Sequence, residues 1–504
     1  MTLANDLVKN FLQASGPSRS SLVAEHLKST LSMTPATARQ QISRSGKHVK
    51  RLNGILPKKE AFLYLEDEAW SDRFVDRLIG ALRETGSSYG YALDGLSARR
   101  GTVLVDEFAV ISGSADRQKG RIPNDAIISR LVSYGLLIKH DTVNGQAVSL
   151  LHPGRDASAS SYLNARLRSE AVILEAFATW LRNLGMVSYG KVAIRGDDHS
   201  RMIGPYKFDL TAPCYLAPMT TQLGSQRQPG FIVADVFSDG RLNEHQVAYF
   251  LRKVKALAAF QNIGKVMSYL IAPGFSNEAL RIGREYGVIM ATPANLFGER
   301  LGKGLADLTQ TLKNAGAVVA NEPERLASMV ERLSDIEGRS LNLRGILFEL
   351  LTAFLVRQNG SWVQLGKIAT DPDTGKSAEI DILSEQGRTE LLAIECKGKA
   401  PSGSLSLEEV DEWIRRIPIW TKWLKLDPSR QETSMNFEIW TSGTIDEDAL
   451  HRLQKEKQQR TKISINWKDG QAVRNLARTQ KEKHVTEAFD EHFFRHPLKD
   501  FVDR

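Results

Sequence analysis

Residues 379–397 read Glu379-Ile380-Asp381-Ile382-Leu383-Ser384-Glu385-Gln386-Gly387-Arg388-Thr389-Glu390-Leu391-Leu392-Ala393-Ile394-Glu395-Cys396-Lys397. The first five alternate polar and apolar, as a half-buried strand does. Glu385 to Arg388 reads as a turn, with Gly387 free to take a positive φ. Leu391 to Ile394 is an apolar run that ends in Glu395-Cys396-Lys397. Side chains alternate faces along a strand, so Glu395 and Lys397 point one way and Cys396 the other. With Asp381 on the neighbouring strand, two carboxylates and one ammonium are expected to converge where an apolar hairpin ends. Those residue types suit a divalent cation with a basic group beside it.

Outward from the hairpin, the period of the apolar residues predicts an ordered set of elements. Upstream are a helix over 342–357 and a strand over 362–368. Downstream are a helix over 407–426, a strand over 437–441, a helix over 447–460 and a strand over 462–467. This unit is placed at 339–475, followed by a tail at 476–504. The stretch 160–300 gives the same order: a helix over 169–184, strands over 186–194, 206–210 and 231–236, a helix over 243–260, a strand over 266–272, a helix over 277–286 and a strand over 288–292. Two copies of one mixed α/β architecture are therefore expected, joined by a helical linker at 301–338.

The later copy resembles the PD-(D/E)xK nucleases, the restriction-endonuclease-like superfamily. The residues that carry the likeness are Asp381, then Glu395-Cys396-Lys397, with Gly345-Ile346-Leu347-Phe348-Glu349 upstream on a helix. The likeness covers Leu341 to Trp467. The earlier copy looks like the Mrr-type branch through Ala272-Pro273-Gly274-Phe275-Ser276 and Gly287-Val288-Ile289. The resemblance implies Mg²⁺ (or Mn²⁺) held by Asp381, Glu395 and the backbone carbonyl of Cys396. It implies that Lys397 orients the attacking water and offsets developing charge. Glu349 is expected to bind a second ion or to hold Lys397. The bland reading of the same residues is a surface hairpin whose charges face water; Glu379, Glu390 and Lys399 are read as such solvated charges, with Lys399 near enough to Lys397 to touch phosphate.

In the earlier copy Asp209 stands for Asp381, and Asp235-Val236-Phe237 for Glu395-Cys396-Lys397. Phe237 can neither orient water nor offset charge, so this copy is expected to be degenerate and to serve DNA clamping or dimerisation.

The N-terminal region carries a different signature. Helices are predicted over 3–12, 20–31 and 34–52, the last opened by Thr34-Pro35, followed by a small hairpin over 54–65. Three helices and a hairpin are the order of a winged helix-turn-helix, placed at 1–68. Between Arg39 and Lys59 there are seven Lys or Arg and no Asp or Glu. A helix presenting Arg39, Gln40, Arg44, Lys47, Lys50 and Arg51 suits a DNA major groove, and Lys58 and Lys59 in the wing suit phosphates. The rival reading is a solvated basic face. A second unit of this kind, less basic, is placed at 69–153, followed by a Ser/Ala-rich linker over 154–161.

The 504 residues carry a net charge of +8, which favours a polyanionic partner. No apolar run approaches the length of a membrane span. Two cysteines, Cys214 and Cys396, make no disulfide framework, and a cytoplasmic setting is expected. No phosphate-cradling Gly-x-x-x-x-Gly-Lys-Ser/Thr loop occurs, so the chain is not expected to hydrolyse ATP itself, and no cofactor beyond the metal is expected. Trp413, Trp420 and Trp423 read as core or interface, and the phenylalanines of the tail (Phe489, Phe493, Phe494, Phe501) as a docking helix.

The expected fold is thus multidomain α/β, with winged-helix units ahead of two restriction-endonuclease-like domains, the first degenerate. The expected function is a metal-dependent DNA endonuclease acting on double-stranded DNA in bacterial restriction or anti-phage defence. It would act as a homodimer where both strands are cut, with or without partner proteins of such a system. The alternatives are a non-catalytic DNA-binding regulator on a nuclease-like scaffold, a repair or transposition-type nuclease, and an RNA nuclease.

Overall fold

The computed structural model describes the chain from Leu3 to Phe493, apart from residues 116–121, 152–157, 189, 198–200, 224–225, 261, 315–327, 330, 334–340, 360–361, 387–389, 431–432, 480–482 and 491–492. The architecture is mixed α/β, with several small sheets and two larger ones. No described helix is long and apolar enough to cross a membrane.

The first unit runs helix Leu3–Ser15, strand Ser18–Arg19, helices Ser20–Leu31 and Pro35–Ser43, and strands Val49–Asn53 and Ala61–Leu65. In its three-stranded sheet, Ala61–Leu65 lies between the other two strands. The third helix is shorter than the sequence suggests. Thr34 caps its start, accepting from the amide of Thr37. It stops at Ser43, and the hairpin is Val49–Asn53 with Ala61–Leu65 rather than the segments flanking 54–59. The reason is local. Gly46 opens a turn, and the Arg51 guanidinium folds back on the helix end, donating to the carbonyls of Ile42 and Ser43.

The second unit repeats the arrangement with helices Asp72–Glu84, Ser88–Ala98, Val105–Ile111 and Asn124–Ser133 and the strands Thr102–Leu104, Leu137–Thr142 and Gly145–Leu150. Its third strand also lies in the middle of the sheet. The helix Ser88–Ala98, which the sequence reading passed over, matters most. It packs against the helix Glu244–Ala258, and one apolar core runs from Leu52 through both units to Val288.

Residues 158–300 and 341–479 then give two five-stranded sheets of one topology. In each, the first three strands are antiparallel and the last three parallel. The earlier order is Ala193–Ile194, Leu210–Cys214, Gly230–Val236, Val266–Ile271, Ile289–Ala291. The later order is Trp362–Thr370, Ser377–Gln386, Glu390–Lys397, Ser434–Thr441, Ser464–Lys468. Each copy also carries a short parallel pair, Arg241–Leu242 with Gly274–Phe275 and Ser404–Leu405 with Thr444–Ile445. The second strand of the earlier sheet begins at Leu210, not Tyr206, so Asp209 sits just ahead of it.

The helix Ser158–Asn183, 26 residues long, starts inside the stretch read as a linker. With helices Glu299–Lys313 and Leu341–Asn359 it lies in one core that joins both sheets. The other face of the later sheet is covered by the helix Leu407–Leu424, where Trp413 and Trp420 are buried core residues. Trp423 lies at the edge of that core. The tail docks on its own chain: Phe489 and Phe493 pack against Phe348. Phe494, Phe501, Gly387 and Arg388 lie outside the described residues.

Candidate metal and phosphodiester site

Two adjacent strands, Ser377–Gln386 and Glu390–Lys397, bring the candidate residues together. Their ladder runs from Gln386↔Glu390 to Ile382↔Ile394. Asp381 lies one residue beyond its end, and its Oδ2 accepts from the backbone amide of Cys396 at 2.7 Å. Glu395 is 2 % exposed. Its Oε1 accepts from Lys397 Nζ at 2.8 Å and from Arg416 Nη1 at 3.0 Å. Its Oε2 is buried with no hydrogen-bond partner.

Asp381 faces this site because the strands change phase. Alternate residues of a regular strand share a face. Yet Ala378 and Ile380 lie in the core under the helix Leu407–Leu424, while Ile382 lies in the core of the helix Leu341–Asn359. The neighbouring strand switches likewise, with Val363 and Leu365 on one side and Ala369 on the other. Between the paired Leu365↔Ile382 and Lys367↔Ile380 stand Gly366 and Asp381. Gly366 has φ +59°, a left-handed conformation that costs a residue with a Cβ. The switch leaves Asp381 on the face of Glu379 instead of that of Leu383.

Carboxylates crowd the Asp381 side chain. Burial, then Glu395, Glu349 and Glu379, push the Asp381 carboxyl well above the usual range. Burial also raises Glu379, whose Oε1 accepts from Asn164 Nδ2 at 2.6 Å. Glu379 is therefore not the solvated charge expected of it. Nor is Lys399, whose Nζ lies 2.6 Å from Glu409 Oε1, or Glu390, which accepts from Asn436. Burial disfavours the Lys397 ammonium, but Glu395 more than offsets this and the group stays charged above its usual range. The Cys396 thiol is pushed well up, by burial first and then by the nearby acids, which suits packing and not nucleophilic chemistry.

Glu349 is held by Arg168 and not by Lys397. Arg168 Nη1 donates to Glu349 Oε1 at 3.2 Å and Nη2 donates to Oε2. Among the described residues no group of three or more His, Cys, Asp or Glu side chains is placed to hold a metal ion. The smaller set that could hold one is Asp381, the open Oε2 of Glu395 and the carbonyl of Cys396. A hard divalent ion commonly takes one or two carboxylates and completes its shell with water.

The earlier copy repeats the anchor and closes the site. Asp209 Oδ2 accepts from the amide of Val236 at 3.0 Å, the counterpart of Asp381 on Cys396. Asp235 pairs with Lys253 Nζ at 2.7 Å. Arg99, from the second unit, donates to Asp209 and to Glu107, and its guanidinium lies 5.3 Å from the Phe237 ring centroid. Arg195 reaches Asp209, Glu107 and Glu170. Burial, and to a lesser degree Glu107, would raise the Asp209 carboxyl; Arg195, Arg99 and the Val236 amide outweigh them and hold it below its usual range. The Arg99 and Arg195 guanidinium groups thus enclose the Asp209 carboxylate.

In the first unit, Arg39, Gln40, Arg44 and Lys47 are exposed on or just beyond the third helix, and Lys58 and Lys59 are exposed at the hairpin tip. Lys50 and Arg51 are on a strand. Lys50 pairs with Glu66 at 3.0 Å, and Arg51 caps the helix.

Sequence reading missed Arg416, Arg168 and Asn164 in the later site and Arg99, Arg195 and Lys253 in the earlier one. Of these, only Lys253 and Arg416 had a legible signal: each lies on the helix that follows its acid's strand, 18 and 21 residues after the acid it meets. No family model, no curated protein and no solved structure matches the chain at a significant level.

Proposed function

We propose that the chain is a metal-dependent endodeoxyribonuclease whose single working site lies at Asp381, Glu395 and Lys397. The observation that carries the reading is the buried, unpartnered Oε2 of Glu395 beside a carboxylate anchored on the next strand. A buried acceptor without a donor is costly, and a cation would satisfy it. Asp381, Glu395 and the carbonyl of Cys396 would hold Mg²⁺ or Mn²⁺, which when bound supplies charge to polarise a phosphodiester and acidify a water. Lys397, charged and tied to Glu395, would hold the attacking water and offset the negative charge that grows on the phosphate oxygens. Arg416, on the same Glu395 oxygen, would fix that carboxylate and face the backbone of the bound strand.

In this reading the two N-terminal units are winged helices. The exposed Arg39, Gln40, Arg44 and Lys47 would face the groove, and Lys58 and Lys59 the phosphates. The earlier sheet is a nuclease-like domain that has lost its site and acts as scaffold. A role in restriction or anti-phage defence fits a DNA reader joined to a nuclease.

The test is incubation of supercoiled and linear DNA with Mg²⁺, beside Asp381→Asn and Lys397→Ala. Cutting by the wild type alone supports the site. Cutting that survives either substitution removes it, and DNA binding with no cutting leaves a regulator on a nuclease-like scaffold.

A further inference from the structure

The helix Ser158–Asn183 belongs to the earlier copy, yet it serves both sites from opposite faces. Arg166 and Glu170, four residues apart, face the closed site: Arg166 donates to Glu107 at 2.8 Å and to Glu170 at 2.8 Å. Asn164 and Arg168, also four apart, face the later site. Residues four apart share a helix face, and a step of two turns about 200° to the other side. Arg168 occupies both oxygens of Glu349, and Asn164 holds Oε1 of Glu379. These groups line one small cavity with Leu365 and Gly366.

Four carboxylates thus stand near the later site, and two of them are already taken. What stays open is Oε2 of Glu395, with Asp381 anchored through Oδ2 alone. We propose that Arg168 and Asn164 are positioning residues that withdraw Glu349 and Glu379 from the ligand set, so that the site takes one divalent cation, on Asp381 and Glu395. A bidentate guanidinium suits this task because it engages both oxygens of one carboxylate in a fixed plane. Lysine, a point charge, would hold only one of them. The earlier copy is then part of the later copy's working site, even though its own site is filled. The inference rests on the metal-dependent reading above.

The experiment is Mn²⁺ binding to the full chain, followed by electron paramagnetic resonance and calorimetry, with circular dichroism to check folding. The wild type is expected to bind one Mn²⁺ and Asp381→Asn none. Arg168→Met is expected to bind a second Mn²⁺, with the spectral broadening of a coupled pair, or to shift the apparent affinity by about tenfold or more, the usual size for a residue that orients a metal ligand. Arg168→Lys should fall between the two. Asn164→Ala, which frees Glu379 alone, should shift affinity in the same direction and carries the test if Arg168→Met does not fold. Wild-type stoichiometry and affinity in the Arg168 and Asn164 variants, with binding lost in Asp381→Asn, would overturn the inference and leave the metal site standing. Binding that is indifferent to Asp381→Asn would overturn both.

Discussion

At the residue scale, the proposed site divides its labour between charges that must be present and charges that must be restrained. Lys397 is the group that separates the two copies, because its counterpart Phe237 is buried under Arg99. Lys397→Ala should lower the cleavage rate by roughly 10²–10³-fold, the usual loss for a donor aimed at developing phosphate or acyl charge, with DNA affinity little changed; single-turnover cleavage beside a binding titration checks both. Asp381 gives a prediction that needs no activity. Its carboxyl titrates well above its usual range when folded, through burial first and then Glu395, Glu349 and Glu379. A raised folded value means that the stabilising contribution is complete below the unfolded value and is lost as pH rises through the folded one. Metal-free Asp381→Asn should therefore melt above the wild type at neutral pH, and the gap should close toward acid. Equal melting at both pH values would mean the carboxylate carries no such strain. Period-two alternation and the apolar run placed Asp381 and the Glu395–Lys397 triplet on adjacent strands, but it did not carry the change of phase that sets the face of Asp381. Arg168 and Asn164 were not legible, because they meet their acids across 181 and 215 residues and no local pattern encodes such a pairing.

At the element scale, most of the longer strands and helices followed from periodicity, though the helix Ser88–Ala98 did not, and element ends depended on contacts that periodicity does not carry. The basic stretch after Pro35 reads as one helix by composition, but Arg51 returns to cap the helix at Ser43. Two classes of basic residue result. Replacing exposed Arg39, Arg44 and Lys47 with alanine should weaken DNA binding and reduce the slope of log affinity against log salt by up to about 0.9 per lost phosphate contact. Arg51→Ala should instead lower the melting temperature of the first unit and leave that slope unchanged; the reverse pattern would mean that the helix face has another partner. Gly366 is a second such case. Nothing in Trp362–Thr370 announces that both strands change face there, since a phase switch looks like ordinary noise in the alternation. A side chain at Gly366 meets a left-handed φ, and its Cβ would lie 3.0 Å from Glu379 Oε1. Gly366→Val should cost about 1–2 kcal/mol for the backbone alone and reduce activity further by displacing Glu379 and Asp381. Urea denaturation read beside cleavage separates the two effects.

At the scale of the whole molecule, the chain has repeated one sheet topology and given the copies opposite fates. The order of helices and strands made the duplication legible, because each copy keeps three antiparallel strands followed by parallel ones. What closed the earlier copy was not legible, since Arg99 comes from another unit. Arg99 is fully buried between Asp209, Glu107 and Glu170, so removing it strands carboxylates in a dry interior. Arg99→Ala should destabilise the earlier sheet by about 3–5 kcal/mol, as losing one partner of a buried ion network does. Because the helix Ser158–Asn183, which shares a core with that sheet, also supplies Arg168 to the later site, the loss should spread to the proposed metal binding. Under the proposed function, one open site per chain would also set how DNA is cut. A single site hydrolyses one strand per engagement, and the opposite strand needs a second site in the opposite orientation, supplied by a twofold partner or by rebinding. Supercoiled plasmid should thus pass through an accumulating nicked circle. Nicking should rise in proportion to protein, and linearisation more steeply. Adding Asp381→Asn chains to wild type should suppress linearisation more than nicking if pairs of chains cut together. Linear product appearing without a nicked intermediate, at a rate proportional to protein, would require a second working site in the same chain, and the arginine-filled copy would have to be reconsidered.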